Sequence, residues 1–242
     1  MAGRGARKSV WLRLVRWIVA LLAAFLLLSA GAVLALRFVN PATTAFIIEA
    51  RVAAWNEPQP FDLRYRWRDL RQISPNAALA VVASEDQLFP YHSGFDLKSI
   101  RKAIQSNDAG GRVRGASTIS QQVAKNLFLW PSRGWLRKGL EAWFTLLLEW
   151  IWPKQRILEV YLNVAEFGRG IYGVEAASQT YFRKPSAQLS AHEAALLAAV
   201  LPSPRRYSVT NPGPYVAGRR NEIVKQMHAL GGRNWLRGIL PN

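Results

Sequence analysis

Residues 17 to 36, Trp-Ile-Val-Ala-Leu-Leu-Ala-Ala-Phe-Leu-Leu-Leu-Ser-Ala-Gly-Ala-Val-Leu-Ala-Leu, run for twenty positions without a charge. A helix of that length spans about 30 Å, the thickness of a bilayer's hydrocarbon core. A cleaved signal peptide is the competing reading. Its apolar region is shorter, about 7 to 15 residues, and ends at a small-residue cleavage site. Here Arg37 and Phe38 follow directly. The segment over 17–37 therefore reads as an uncleaved transmembrane anchor. Arg4, Arg7, Lys8, Arg13 and Arg16 precede it, and only Arg37 lies close behind. The positive-inside bias then places the basic tail, residues 1–16, in the cytoplasm and everything from residue 38 on the far side.

That orientation decides what the charge means. The formal net charge is +17, the six cations just named flank the anchor, and the first acid is Glu49, so residues 38–242 carry +11. Such a surplus suits an anionic partner. Outside the cytoplasm, nucleic acid drops away and anionic lipid or a lipid-linked phosphate remains. The absence of cysteine excludes disulfides, thiolate metal sites and cysteine nucleophiles. About 200 residues beyond the anchor suffice for one core or a core with a small lobe.

Residues 38–60 read as a linker, with Pro41, Pro58 and Pro60 breaking any long helix, and the chain beyond, 61–242, as the catalytic domain. Phe61 to Trp67 alternates apolar and polar residues as a short strand does. From Ser74 onward the pattern is almost wholly helical. Ser74 caps a helix with Pro75 at its first position, and Pro90 stops it. Glu85 and Asp86 fall where that helix runs out. The helix dipole disfavours an anion there, which raises the proton affinity of Glu85 and suits it to act as a general base. A solvated acidic helix end is the plainer alternative.

Asp96 is placed to cap a helix over 97–106, and residues 107–116 form a basic, glycine-rich loop. Ser117 caps the next helix, to about Leu129. On it Thr118, Gln121, Gln122 and Lys125 recur at spacings of three and four, a polar face suited either to solvent or to sugar hydroxyls and phosphate oxygens. The apolar run 127–135 belongs either in the core or, through Phe128, Trp130 and Trp135, at a membrane interface. A helix from Leu136 to Trp152 opens with Arg137, Lys138 and Glu141 on one turn and is otherwise apolar, so it reads as a core helix. Further helices follow over 154–163, up to Phe182 after the turn Gly168–Gly173, from the capping box Ser190/Glu193 to Leu201, and over Tyr215–Leu230. His92, His192 and His228 are too scattered for zinc.

Four motifs then fall in order: Glu-Asp-x-x-Phe-x-x-His-x-Gly at 85–94, Gly-Ala-Ser-Thr-Ile-Ser-Gln-Gln at 115–122 with Lys125-Asn126, Arg-Lys-x-x-Glu at 137–141, and Ile-Leu-Glu-x-Tyr-Leu-Asn at 157–163. Behind an N-terminal anchor they resemble the family 51 glycosyltransferases, the peptidoglycan glycosyltransferases, over roughly residues 60–210. The chain ends at Asn242, so the expectation is the monofunctional kind, with no transpeptidase domain. The resemblance implies a mainly α, lysozyme-like fold with a head and a small membrane-proximal jaw. It implies polymerisation of lipid II into glycan strands with release of undecaprenyl diphosphate, at the bacterial inner membrane with the domain in the periplasm. By match to the motifs, Glu85 is the catalytic base and Glu141 the second essential carboxylate. Asp86, Phe89 and His92 support the base. Lys125, Arg137 and Lys138 hold the diphosphate, and Thr118 and Gln122 contact the donor. Ser117, Gln121 and Asn126 complete the second motif's binding stretch. Glu159 and Asn163 are structural.

Ala116 departs from the second glycine that many members carry before Ser-Thr. The expected partners are lipid II, the growing glycan chain, membrane lipid and other cell-wall synthesis proteins. No cofactor is required. A divalent cation, Mg or Mn, enters only as a stimulator, and no residue is assigned to it. Two other readings use the same residues differently: a lytic transglycosylase or muramidase, whose leaving group is a sugar hydroxyl, and a non-catalytic scaffold of cell-wall synthesis.

Overall fold

A computed structural model describes residues 3–57, 61–96, 117–132 and 134–240. The helix expected over 97–106 and the loop 107–116 lie outside the described residues. Two compact units are present, Met1–Val39 and Asn40–Asn242. The first is α1, Gly3–Phe38, a helix that runs past the uncharged segment into the basic tail. Its stretch Trp11–Phe38 is long and apolar enough to cross a membrane.

The second unit is mainly helical. It opens with a helix in the segment read as linker: α2, Ala45–Asn56, capped by Thr44, whose side chain accepts the Ile47 N–H at 3.2 Å. Ile47 and Ala50 bury against Tyr172, with Phe46, Leu63 and Tyr65 around them. Pro41 lies before the helix and does not prevent it, and Pro58 and Pro60 lie outside the described residues. The expected strand is two residues long, β1, Arg64–Tyr65. It pairs in parallel with β3, Ile171–Tyr172, which pairs antiparallel with β2, Glu166–Gly168. The hairpin β2–β3 occupies the glycine-rich turn. Gly173 leaves it at φ +84°, and a Cβ there would come 2.6 Å from the Asn163 carbonyl oxygen.

The central element is α3, Pro75–Glu85. Ser74 caps it as expected, and Ala77 through Ala83 are all buried, so it is enclosed rather than striped. It packs between α8, Ala191–Val200, and α9, Pro214–Ala229, with the short 3-10 turn Gly232–Leu236 against it. The helix ends at Glu85, well before Pro90. Asp86 breaks the helix at φ −159° and ψ 76°, and its carboxylate reaches the next layer.

That layer is α4, Ile119–Phe128, packed on α5, Trp135–Ile151, and α6, Lys154–Val164. Ile119, Val123, Ala124 and Leu127 face the core. The remaining helix, α7, Val174–Phe182, leads on toward α8. α5 is not enclosed as its composition suggested. Phe144, Leu147 and Leu148 are buried, whereas Leu136, Leu146 and Trp150 are exposed and Trp135 is 94% exposed. The run 127–135 divides in the same way. Leu127 and Leu129 enter the core, Phe128 stacks on Phe144 at 4.3 Å, and Trp130 stays exposed.

Candidate active site

Glu85 is the last residue of α3, and its carboxylate leans on α4. Gln122 Nε2 donates to Glu85 Oε2 at 2.8 Å, while Gln122 Oε1 accepts from the Tyr161 hydroxyl at 3.1 Å. Burial pushes the carboxyl above the ordinary Glu range. Gln122, Arg219 and Lys125 pull it back, and Asp86 adds to the rise. The rise has the direction expected from the helix end, but desolvation is its largest cause. Tyr161 is fully buried, its phenol held well above its usual range by that burial and by the Glu85 and Asp86 charges, so it stays a donor.

Asp86 faces the other way. Its Oδ2 accepts the Ile119 N–H at 2.9 Å, placing an anion at the N-terminus of α4, where the helix dipole favours it. Both Asp86 oxygens lie 2.9 Å from His92 Nε2. Because His92 Nδ1 accepts the Gly94 N–H at 3.1 Å, Nε2 carries the proton and donates to Asp86. The Gly94 carbonyl accepts the Thr118 hydroxyl at 2.7 Å. Gly94 sits at φ +89°, and a Cβ there would lie 2.7 Å from Thr145 Cγ2. Phe89 is fully buried beneath this turn, edge-on to His92. Burying such a ring contributes about 1.5–3 kcal/mol.

The polar face expected on α4 splits in two. Thr118, not Ser117, is the N-cap, and it forms a reciprocal capping box with Gln121. Both are buried and spent on the helix end. Gln122 bonds Glu85, and the Lys125 and Glu85 charges act on each other. Ser117 is exposed and Asn126 half-buried. The sequence signal for this was the Thr-x-x-Gln spacing, which is also a capping-box pattern.

Glu141, on the first turns of α5, is buried and paired with Arg137 Nη1 at 2.9 Å and with Lys138 Nζ. The intrahelical pairing is therefore present, and it is two pairs on one carboxylate rather than a single pair. Arg137 Nε is buried without a hydrogen-bond partner, while the Lys138 side chain is half exposed. Lys125 links this cluster to Glu85. Burial lowers the proton affinity of its amine, Glu141 and Glu85 both raise it, and Arg137 and Lys138 lower it. Its Nζ also stands 5.5 Å over the Phe46 ring.

Some contributors were not visible as motif residues. Lys154 Nζ donates to the His92 carbonyl at 2.6 Å and to Glu149 Oε1 at 2.8 Å, and lies 4.6 Å over Phe89. Ser120 donates to the same Glu149. Arg219 reaches Ser84 from α9. Away from this centre, Glu159 accepts the Leu70 N–H at 2.8 Å and pairs with Arg156, and Asn163 clasps both backbone groups of Arg68 at 2.8 Å. They pin the lead-in of the domain. Among the described residues, no group of three or more His, Asp or Glu side chains could hold a metal ion.

A lysozyme-like helical domain with a half-buried carboxylate at a helix end and a second carboxylate set among cations fits the class of transglycosylases. Residues 56–228 match the family described as Transglycosylase, and the chain belongs to that family of glycosyltransferases. It is 53% identical over 96% of its length to a protein named biosynthetic peptidoglycan transglycosylase from Xanthomonas campestris pv. campestris strain B100, of which it covers 93%. Proteins of the same name from Stutzerimonas stutzeri strain A1501 and Xylella fastidiosa strain 9a5c are 51% and 52% identical. The first match covers 95% of this chain and 92% of the relative, the second 87% of each.

Proposed function

We propose that this chain is a membrane-anchored peptidoglycan glycosyltransferase that polymerises lipid II. Glu85 acts as general base. It takes the proton from the 4-hydroxyl of the acceptor GlcNAc, whose oxygen attacks C1 of the donor MurNAc with inversion. The C1–O bond to the diphosphate breaks, and undecaprenyl diphosphate leaves. Negative charge develops on that leaving group, where fixed cations lower the barrier most. Lys125, Arg137 and Lys138 supply them, and Glu141 holds two of the three in place. The anchor keeps the domain beside a lipid-linked substrate, with its N-terminus cytoplasmic and the domain on the periplasmic face of the inner membrane.

The observation that carries this reading is the placement of Lys125. Its amine feels the charges of Glu141, Arg137 and Lys138 and also that of Glu85. A hydrolase expelling a sugar hydroxyl has no use for three cations beside its second carboxylate. The test gives detergent-solubilised protein labelled lipid II and reads polymer on a gel, beside Glu85→Gln. Polymer from the wild type alone supports the proposal. Cleavage of purified glycan without polymerisation overturns it.

A further inference from the structure

Arg219 lies on α9, 135 residues along the chain from Ser84. Its Nη2 donates to the Ser84 carbonyl at 3.1 Å, at the end of α3 and one residue before Glu85. Its Nη1 pairs with Glu222 at 3.2 Å. The Arg219 side chain is 23% exposed, whereas that of Glu222 is 66% exposed. A guanidinium on the last carbonyls of a helix offsets the negative end of the dipole. We infer that Arg219 is a positioning residue for the reaction: reaching across from α9, it caps the C-terminal end of α3 and sets the charge environment in which Glu85 works. This rests on the reading of Glu85 as the base.

Among the described residues, five surround Glu85. Asp86 stands beside it and is tied to His92. Gln122 and Lys125 face it from α4 and Tyr161 from α6, and Arg219 approaches from α9. Of these, Arg219 and Lys125 are the cations, and both favour the ionised carboxylate. Lys125 is also assigned to the diphosphate, so its charge is shared with the substrate. Arg219 is held by the Ser84 carbonyl and Glu222 instead, so its effect on Glu85 persists through the reaction cycle. Burial raises the proton affinity of the carboxylate. A permanent cation at the helix end favours its ionised form, the form that accepts a proton.

The test is the pH dependence of kcat/KM for polymerisation of labelled lipid II by full-length protein in detergent, across the acid limb. In Arg219→Met the limb moves to higher pH: activity falls about threefold or more at the acid end and returns toward wild type at alkaline pH, with KM little changed. Arg219→Lys keeps the charge and restores most of the profile. Glu222→Gln, at an exposed position, removes the carboxylate that partly neutralises Arg219 and moves the limb the opposite way, to lower pH. This variant decides the matter even if Arg219→Met fails to fold. A purely structural cap would lower activity equally at every pH and leave the limb of Glu222→Gln where it was, and that result overturns the inference. If Glu85→Gln itself polymerises lipid II, the assignment of the base has failed instead.

Discussion

Gln122 grips Glu85 with its amide nitrogen and Tyr161 with its amide oxygen, so one side chain orients the base and is itself oriented from α6. A donor on a carboxylate favours the charged form. Gln122→Ala therefore raises the pH at which Glu85 ionises and frees its rotamer. A hydrogen bond to a charged group is worth about 1.5–3 kcal/mol, so kcat/KM for polymerisation falls about 10- to 100-fold at neutral pH. Steady-state rates at several pH values check this, with a partial recovery expected at alkaline pH.

Glu85→Gln separates activity from stability. Loss of the base lowers the polymerisation rate about 10²- to 10⁴-fold. The fold gains, because burial disfavours the Glu85 carboxylate. Its folded value lies above the unfolded 4.5, so stability is lost as pH rises from about 4.5 through the raised value. At pH 8 the neutral amide escapes that loss. Thermal unfolding at pH 8 should show the variant melting at or above wild type, with about 2–4 °C for each kcal/mol relieved.

Replacement of Glu141 by Gln acts on the other half of the site. Arg137 and Lys138 lose their buried counter-charge, and Lys125 loses the partner that most raises its proton affinity. The Lys125 amine then gives up its proton at lower pH. kcat/KM drops about 10²-fold or more, and the alkaline limb of the pH profile moves toward neutrality. An alkaline limb unchanged from wild type would remove Lys125 from the site.

How much of this was legible in the sequence divides along physical lines. Glu85, Glu141 and the cations were readable because their motifs keep fixed local spacings. The caps Ser74 and Ser190 were readable for the same reason. The double duty of Thr118 and Gln121 was not, because a capping box and a polar face share one spacing. Arg219 and Lys154 were invisible because their partners are brought near only by packing. α2 was not legible because prolines border the segment, while the contacts of Ile47, Ala50 and Phe46 that pin it to Tyr172 form only on folding.

Glu175 provides a control for stability remote from the chemistry. Burial raises its carboxyl, but the Ser186 backbone and hydroxyl, with Gln179 and Arg68, outweigh this and hold it at about 2. Its contribution is present above the unfolded 4.5 and is lost as pH falls toward about 2. Glu175→Ala should destabilise the domain by about 2–3 kcal/mol or more through the unsatisfied Ser186 groups. Denaturant melts at pH 7 and pH 3 should show that difference shrinking in acid.

The exposed side of α5 makes a prediction about the lipid phase. Trp135 and Trp150 are 94% and 84% exposed, and Trp favours the membrane interface. With full-length protein reconstituted in vesicles, replacing both by Ser should raise KM for lipid II about three- to tenfold while leaving kcat within twofold. A parallel fall in kcat would point instead to damage inside the domain.

The first turn of α4 is fastened from three sides: Ile119 to Asp86, Thr118 to Gly94, and Ser120 to Glu149. Gln122 and Lys125 follow on the same helix. The turn at Gly94 leaves no room for a methyl group beside Thr145 and Glu149 of α5. This makes the region one heritable block. A chimera between relatives that swapped residues 85–94 alone would leave α4, α5 and Lys154 fitted to a different loop. A working graft must carry all of these together.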